Sequence, residues 1–187
     1  LYSDKDIFIR EVISNACDAI SKFQRLVSLG EANIDKDESY KVTVSINKEN
    51  KTLKFIDNGI GMTEEEVKKY ITQVAFSGAT DFVEKYKDKM DEGKDIIGHF
   101  GLGFYSTFMV SGKVQIDTLS YKSEAEAVKW VCNEGGTEYE ISTSEERTTR
   151  GTTITLYINE ESKEFLEEYK VREIIKKYCS FLPTEIY

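Results

Sequence analysis

The feature that most constrains this chain is a long amphipathic pattern near its start. From Ile7 to Ile20, apolar residues recur at intervals of three and four, which predicts a helix with one buried face. Ser3 and the acidic residues after it are placed to satisfy the first-turn N–H groups. The helix is expected to run to about Leu29, where Gly30 can end it.

Three polar residues of this helix, Glu11, Asn15 and Asp18, follow one another at intervals of four and three positions. They therefore share one strip of the helix surface. A carboxylate can activate a water molecule, and a carboxamide oxygen is a hard ligand suited to Mg²⁺. By itself the strip is more typical of the solvated face of an ordinary amphipathic helix.

The composition limits the classes of protein to which the chain can belong. With 187 residues and no proline- or glycine-rich linker, it is expected to form one domain, residues 1–187. It starts without methionine, so we expect a fragment of a longer protein. The net charge of −9 argues against a general nucleic-acid or membrane surface. It does not argue against a nucleotide, because backbone N–H groups and Mg²⁺ can neutralise phosphates locally.

The three cysteines, Cys17, Cys132 and Cys179, are widely spaced and lie within apolar patterns. This usage is typical of a reducing compartment and indicates neither disulfides nor a metal site. No apolar run is long enough to cross a bilayer. We therefore expect a cytoplasmic protein.

Alternation and turn residues predict the remaining elements. A capping box at Thr63 predicts a helix to about Thr72, and residues 104–110 are expected to be helical. An amphipathic helix is expected from about Ser162 to Cys179, with Tyr169 among its apolar residues. Strands are predicted at about 40–46, 52–56, 112–121, 126–133, 137–142 and 152–158. This order predicts an α+β fold, a two-layer sandwich with helices gathered on one face of a sheet.

A first glycine motif, Asp57-Asn58-Gly59-Ile60-Gly61, comes directly after a predicted strand, with Met62 next. Its glycines allow a tight turn and a close approach of the backbone to a ligand. Asp57 is placed to accept a hydrogen bond from a buried amine, such as the exocyclic amine of adenine. An ordinary Asp-x-Gly turn has the same sequence.

A second glycine motif contains Gly98, Gly101 and Gly103 and leads into the helix that starts near Phe104. Unobstructed backbone N–H groups at a helix N-terminus can bind phosphate. The motif is neither a Walker A loop nor part of a Rossmann unit. Gly151-Thr152 follows later, and a threonine hydroxyl there could support Asp57, although a plain strand start is equally compatible.

The order of these motifs resembles the GHKL ATPase superfamily. Within it, three segments resemble bacterial chaperones of the heat shock protein 90 family: "DIFIREVISNACDAI", "DNGIGMT" and "IIGHFGLGFYSTFMVS". The resemblance extends over nearly the whole chain. It implies a Bergerat fold, in which helices cover one face of a mixed, mostly antiparallel sheet of about eight strands.

The resemblance also implies roles for individual residues. Glu11 matches the general base and Asn15 the Mg²⁺ ligand, whereas Asp18 matches a pocket residue without a chemical step. Asp57 matches the carboxylate that reads adenine, aided through water by Gly61 and Thr152. The residues that match contacts to the nucleotide and its phosphates are Met62, Gly98, Gly101, Gly103 and Phe104. Residues 73–103 become a candidate moving lid.

The implied cofactors are ATP or ADP with Mg²⁺, and the implied activity is weak ATP hydrolysis that closes a dimeric clamp. The implied partners are unfolded or partly folded client proteins and, in the full-length protein, a second copy; neither nucleic acid nor membrane is expected. Phe76 departs from the family pattern, because many members carry a lysine there.

Three alternatives remain at this point. One is a DNA-processing GHKL ATPase of the gyrase or MutL type. Another is a histidine kinase, which lacks a base of the Glu11 type because its phosphate acceptor is a histidine. The last is an interaction module without a nucleotide.

Overall fold

A seven-stranded sheet forms the centre of the part that the computed structural model describes, residues 6–34, 38–69, 106–133, 139–179 and 185–186. The spatial order is β5-β4-β3-β6-β2-β1-β7, antiparallel except for the edge pair of β1 and β7. The strands are β1 Lys41–Asn47, β2 Thr52–Asp57, β3 Ser111–Leu119, β4 Val128–Asn133, β5 Tyr139–Thr143, β6 Gly151–Ile158 and β7 Glu185–Ile186.

Helix α1, Ile7–Ser28, packs across β1 and β2 and confirms the amphipathic prediction. Its apolar face is buried, and Phe8 makes edge-to-face contacts with Phe165 and Phe55 at centroid distances of 4.9 and 6.4 Å. The predicted end is also confirmed, since Gly30 takes a left-handed φ of 75°. The predicted cap at Ser3 lies outside the described residues.

Helix α2 spans Glu64–Val67 and begins with the predicted capping box. The Glu66 backbone N–H donates to the Thr63 hydroxyl at 3.2 Å, and the Thr63 N–H donates to the Glu66 carboxylate at 3.0 Å. The predicted end of this helix near residue 72 lies outside the described residues. The described part of segment 104–110 contains a 3₁₀ helix, Thr107–Met109.

The single C-terminal helix predicted from about Ser162 is wrong. A 3₁₀ helix, Glu160–Leu166, is followed by a separate helix α3, Glu168–Cys179, because Glu167 adopts an extended backbone with φ −94° and ψ 123°. The break changes which side chains face inward. Tyr169, predicted to be apolar core, is 70% exposed.

Helices α1 and α3 contact each other on one face of the sheet. The predicted α+β sandwich with a mixed, mostly antiparallel sheet is therefore confirmed, with seven strands in the described part against about eight expected. No helix in the described ranges is long and apolar enough to cross a membrane.

Candidate functional site

A cavity of about 310 Å³ lies between α1 and the sheet. This volume is within the range of small-molecule sites. Its floor is a cross-strand row of apolar side chains, Phe55 on β2, Ile154 on β6 and Ile116 on β3, which are direct register partners. The remaining lining residues are Val12, Asn15, Ala16, Asp18, Ala19, Lys22, Asp57, Ile60, Gly61, Met62, Glu66 and Thr152.

A second cross-strand row, next to the apolar floor, is polar and contains Asp57, Thr152 and Thr118. The register pairs Thr152 with both of the other residues, so all three side chains emerge on the same face. The hydroxyls of Thr152 and Thr118 are 2.8 Å apart, and the Met62 backbone N–H donates to the Thr118 hydroxyl at 2.9 Å. The sequence analysis missed Thr118, because a threonine within a strand carries no functional signal of its own.

Asp57 combines burial with hydrogen bonding. It is 6% exposed, and its Oδ1 accepts a hydrogen bond from the Gly59 backbone N–H at 2.8 Å. Burial raises the pKa of Asp57 to about 6, against the opposing effects of the Gly59 N–H and the Arg147 guanidinium. At neutral pH the side chain is therefore mainly a carboxylate, which only accepts hydrogen bonds.

The turn after Asp57 requires glycine at two positions for different reasons. A Cβ on Gly59 would lie 2.6 Å from the Ala19 carbonyl carbon of α1. Gly61 has a φ of 69°, and a Cβ there would lie 2.0 Å from the Leu119 carbonyl oxygen. The Ile60 N–H donates to the Ala19 carbonyl at 3.1 Å, which fixes the turn against the helix.

The polar strip of α1 reaches this cavity only in part. Asn15 and Asp18 line it, whereas Glu11, one turn earlier, is buried and does not. The Glu11 carboxylate lies 3.4 Å from the Arg10 guanidinium. The Asn15 Oδ1 atom is buried and has no hydrogen-bond partner within the described ranges.

Two residues of α1 one turn apart, Asp18 and Lys22, bring opposite charges to the cavity. Partial burial raises the pKa of Asp18, and the nearby Lys22 ammonium acts in the opposite direction. Lys22 is a cavity residue that the sequence analysis missed, since an exposed lysine on a helix is ordinary. The predicted site residues Gly98, Gly101, Gly103 and Phe104 and the candidate lid lie outside the described residues, and their roles stay predictions.

An acidic residue at a strand end, an apolar floor and a polar helix across them form the arrangement that the resemblance to GHKL ATPases predicted. Comparison with known proteins agrees. The chain belongs to the histidine kinase-, DNA gyrase B- and HSP90-like ATPase family, whose sequence model matches residues 3–153.

Within this family the whole chain aligns with bacterial proteins named chaperone protein HtpG. It is 52% identical to the one from Bacteroides thetaiotaomicron and 48% identical to the one from Porphyromonas gingivalis, covering 26% of each relative. It is 43% identical to the one from Fusobacterium nucleatum and covers 31% of it. The chain thus spans about a quarter to a third of these relatives. The match favours the chaperone over the gyrase or MutL alternative.

Proposed function

We propose that this chain is the ATP-binding and ATP-hydrolysing domain of a bacterial chaperone similar to HtpG. The observation that carries the proposal is the buried Asp57 carboxylate at the end of an apolar cavity, in a chain that matches HtpG proteins over its whole length. The proposed domain comprises residues 1–187, with residues 73–103 as its lid.

Asp57 is the proposed recognition group for adenine. Its carboxylate accepts a hydrogen bond from the exocyclic amine, while the apolar floor contacts the faces of the base. Thr152 and Gly61 support this contact through water, and Met62 borders the base. The Thr118 hydroxyl supports the arrangement, since it is hydrogen-bonded to the Met62 backbone and adjacent to Thr152.

Asn15 is the proposed protein ligand of Mg²⁺. A buried carboxamide oxygen without a partner in the described ranges suits a hard cation. Mg²⁺ usually keeps several waters and binds substrate phosphates beside one or two protein ligands, so the phosphates and water are expected to complete the coordination. When bound, Mg²⁺ neutralises phosphate charge, and Gly98, Gly101, Gly103 and Phe104 are proposed to contact the nucleotide at this end.

Glu11 is the proposed general base. It lies one helical turn before Asn15, so one rigid element would hold both the water-orienting carboxylate and the metal ligand. Asp18 is proposed to line the pocket without a chemical step. Since hydrolysis depends mainly on positioning and charge, a domain that spans about a quarter of its relatives is expected to be a weak ATPase by itself.

The remaining proposals concern the whole protein. We expect a cytoplasmic homodimer in which ATP closes a clamp around unfolded or partly folded clients. The 52% identity to a chaperone supports this expectation. DNA and membranes are not expected partners, in keeping with the net charge of −9.

The experiment that tests the site compares Glu11→Ala with Asp57→Asn. Glu11→Ala is expected to bind Mg²⁺-ATP with nearly unchanged affinity and to lose hydrolysis, because it removes only the base. Asp57→Asn is expected to lose binding, because its amide N–H₂ opposes the adenine amine. Binding is measured by calorimetry and turnover by phosphate release.

The matched control is Glu31→Ala, which removes an exposed glutamate just beyond α1. It should leave both binding and turnover unchanged. Hydrolysis at the normal rate by Glu11→Ala would refute the role of Glu11 without affecting the adenine site.

A further inference from the structure

A buried polar network lies on the face of the sheet opposite the cavity, behind Asp57. The segment between β5 and β6, residues 144–150, is attached to this face. The Ser144 hydroxyl donates to the Asp117 carboxylate at 2.6 Å, and the Gln115 amide donates to the same carboxylate at 2.8 Å. Asp117 is fully buried, and its bond to Ser144 anchors the segment to β3, while the bond from Gln115 lies within β3 and orients the carboxylate.

Arg147 is the centre of this segment and is 9% exposed. Its Nε donates to the Thr149 carbonyl at 2.9 Å, and one terminal nitrogen donates to the Thr153 hydroxyl at 3.1 Å. The other terminal nitrogen donates to the Asp57 carbonyl at 2.8 Å and to the Arg150 carbonyl at 2.5 Å. The guanidinium therefore contacts the backbone of the residue whose side chain lies in the cavity.

Arg150 holds the next two residues of the same turn. Its guanidinium donates to the Asn58 carbonyl at 2.7 Å and to the Gly59 carbonyl at 3.0 Å. It also pairs with Glu38 and lies over the Phe23 ring of α1, 3.6 Å from the centroid. Three consecutive carbonyls, those of residues 57, 58 and 59, thus accept hydrogen bonds from two arginines.

The backbone beside these bonds has no room for a side chain. A Cβ on Gly151 would lie 2.1 Å from both the Arg147 guanidinium and the Asp57 carbonyl oxygen. Gly151 also has a φ of 130°, which favours glycine. The Gly-Thr sequence at the start of β6 therefore has two roles. Gly151 leaves room for the Arg147 guanidinium, and Thr152 faces the cavity.

We infer that Arg147 is a positioning residue for adenine recognition, which holds Asp57 from the face of the sheet opposite the ligand. The inference depends on the proposed function, because it assumes that Asp57 binds the base. Arginine suits this task since its planar group donates several hydrogen bonds in fixed directions. Lysine would retain the charge and lose most of these bonds.

The same contact also affects the charge of Asp57. The Arg147 guanidinium opposes the effect of burial on the pKa of the Asp57 carboxyl. The other charged groups around this carboxyl are Arg150 on the same segment, Asp18 and Lys22 on α1, and Glu66 on α2. Removing the Arg147 charge should raise the pH at which the carboxyl becomes ionised.

The test measures the Kd for Mg²⁺-ADP as a function of pH in the full chain and in Arg147→Met, Arg147→Lys and Arg172→Met. Arg147→Met should raise the Kd about tenfold near neutral pH and move the midpoint of its pH dependence upward. Arg147→Lys should restore the midpoint and only part of the affinity. The control Arg172→Met removes an exposed arginine of α3 and should match the wild type.

Thermal unfolding of each variant separates positioning from a structural role. If Arg147→Met unfolds at a lower temperature yet keeps the wild-type Kd and pH midpoint, Arg147 is only structural and the inference fails. If Arg147→Met does not fold, Arg147→Lys provides the test. A wild-type Kd for Mg²⁺-ADP in Arg147→Lys would overturn the inference. Absence of ADP binding by the wild type would instead overturn the proposed function.

Discussion

At the scale of single residues, the acid that the proposed function needs at position 57 lowers the stability of the ligand-free protein. Transfer of a carboxylate into the interior costs free energy, and the raised pKa of about 6 reflects this cost. A protein selected only for stability would be better served by a neutral group at this position. The retained acid is consistent with a ligand that needs an acceptor there.

Asp57→Asn is therefore expected to stabilise the ligand-free protein. The pKa of Asp57 in the folded protein lies above its ordinary value of 3.8, so ionisation of Asp57 lowers the free energy of unfolding as the pH rises from about 4 to about 6. Above pH 6 the variant should be more stable by roughly 1 to 3 kcal/mol, and near pH 4 the difference should vanish. Urea unfolding at both pH values measures this, and an equal difference at both would contradict the explanation.

Sequence reasoning located some of the residues around this cavity and missed others. Asp57, Gly61 and Thr152 were found because glycine motifs mark places where the backbone approaches another group closely. Arg147 was missed because its contacts come from residues far apart in the chain, such as the Asp57 carbonyl. Such contacts are fixed by tertiary structure and leave no local pattern.

At the scale of elements, the site depends on the contact between α1 and the turn after β2. The Ile60 N–H bonds to the Ala19 carbonyl, and the Ile60 carbonyl accepts from the Tyr121 N–H at 3.0 Å. The turn is thus bonded to the helix on one side and to the segment after β3 on the other. This arrangement keeps Asp57 and Asn15 on opposite walls of one cavity.

Gly59→Ala is expected to disrupt this contact. The added methyl group would meet the α1 backbone at 2.6 Å, and a helix backbone cannot yield as a flexible side chain can. We expect a loss of about 3 kcal/mol in the free energy of unfolding and weaker ADP binding. Chemical denaturation measures the first effect and calorimetry the second.

Gly112→Ala in β3 is the matched control, because nothing lies within 4 Å of a Cβ there. It should change the free energy of unfolding by less than about 0.5 kcal/mol. Equal effects of the two substitutions would show that the close approach to α1 is unimportant.

The elements themselves were largely predictable from periodicity. Strands β1 and β2 and helix α1 lie close to the positions that alternation and helical spacing predicted. The break at Glu167 was not predictable, because nothing in its residue type prevents a helix. The core fixes it, since Phe165 must reach Phe8 while Val171 faces inward after the break.

At the scale of the whole molecule, the proposed nucleotide should stabilise the entire fold. Its site joins α1 to three central strands, β2, β6 and β3, so local loss of the site requires loss of much of the core. A ligand that binds only the folded state adds stability that depends on its concentration relative to Kd.

Saturating Mg²⁺-ADP is therefore expected to raise the melting temperature. At one hundred times its Kd, the ligand should add roughly 2.7 kcal/mol, equivalent to a few degrees for a chain of this size. Differential scanning fluorimetry with Mg²⁺ alone as the reference measures the shift. Asp57→Asn should show no shift under the same conditions.

Isothermal titration of Mg²⁺-ADP into the wild type and Asp57→Asn tests the central claim most directly. The account predicts saturable binding at one site in the wild type and its loss in the variant, with both proteins folded by circular dichroism. Equal binding by the two folded proteins would contradict the assignment of Asp57 to the adenine site. Absence of binding by the wild type would contradict the proposed function itself.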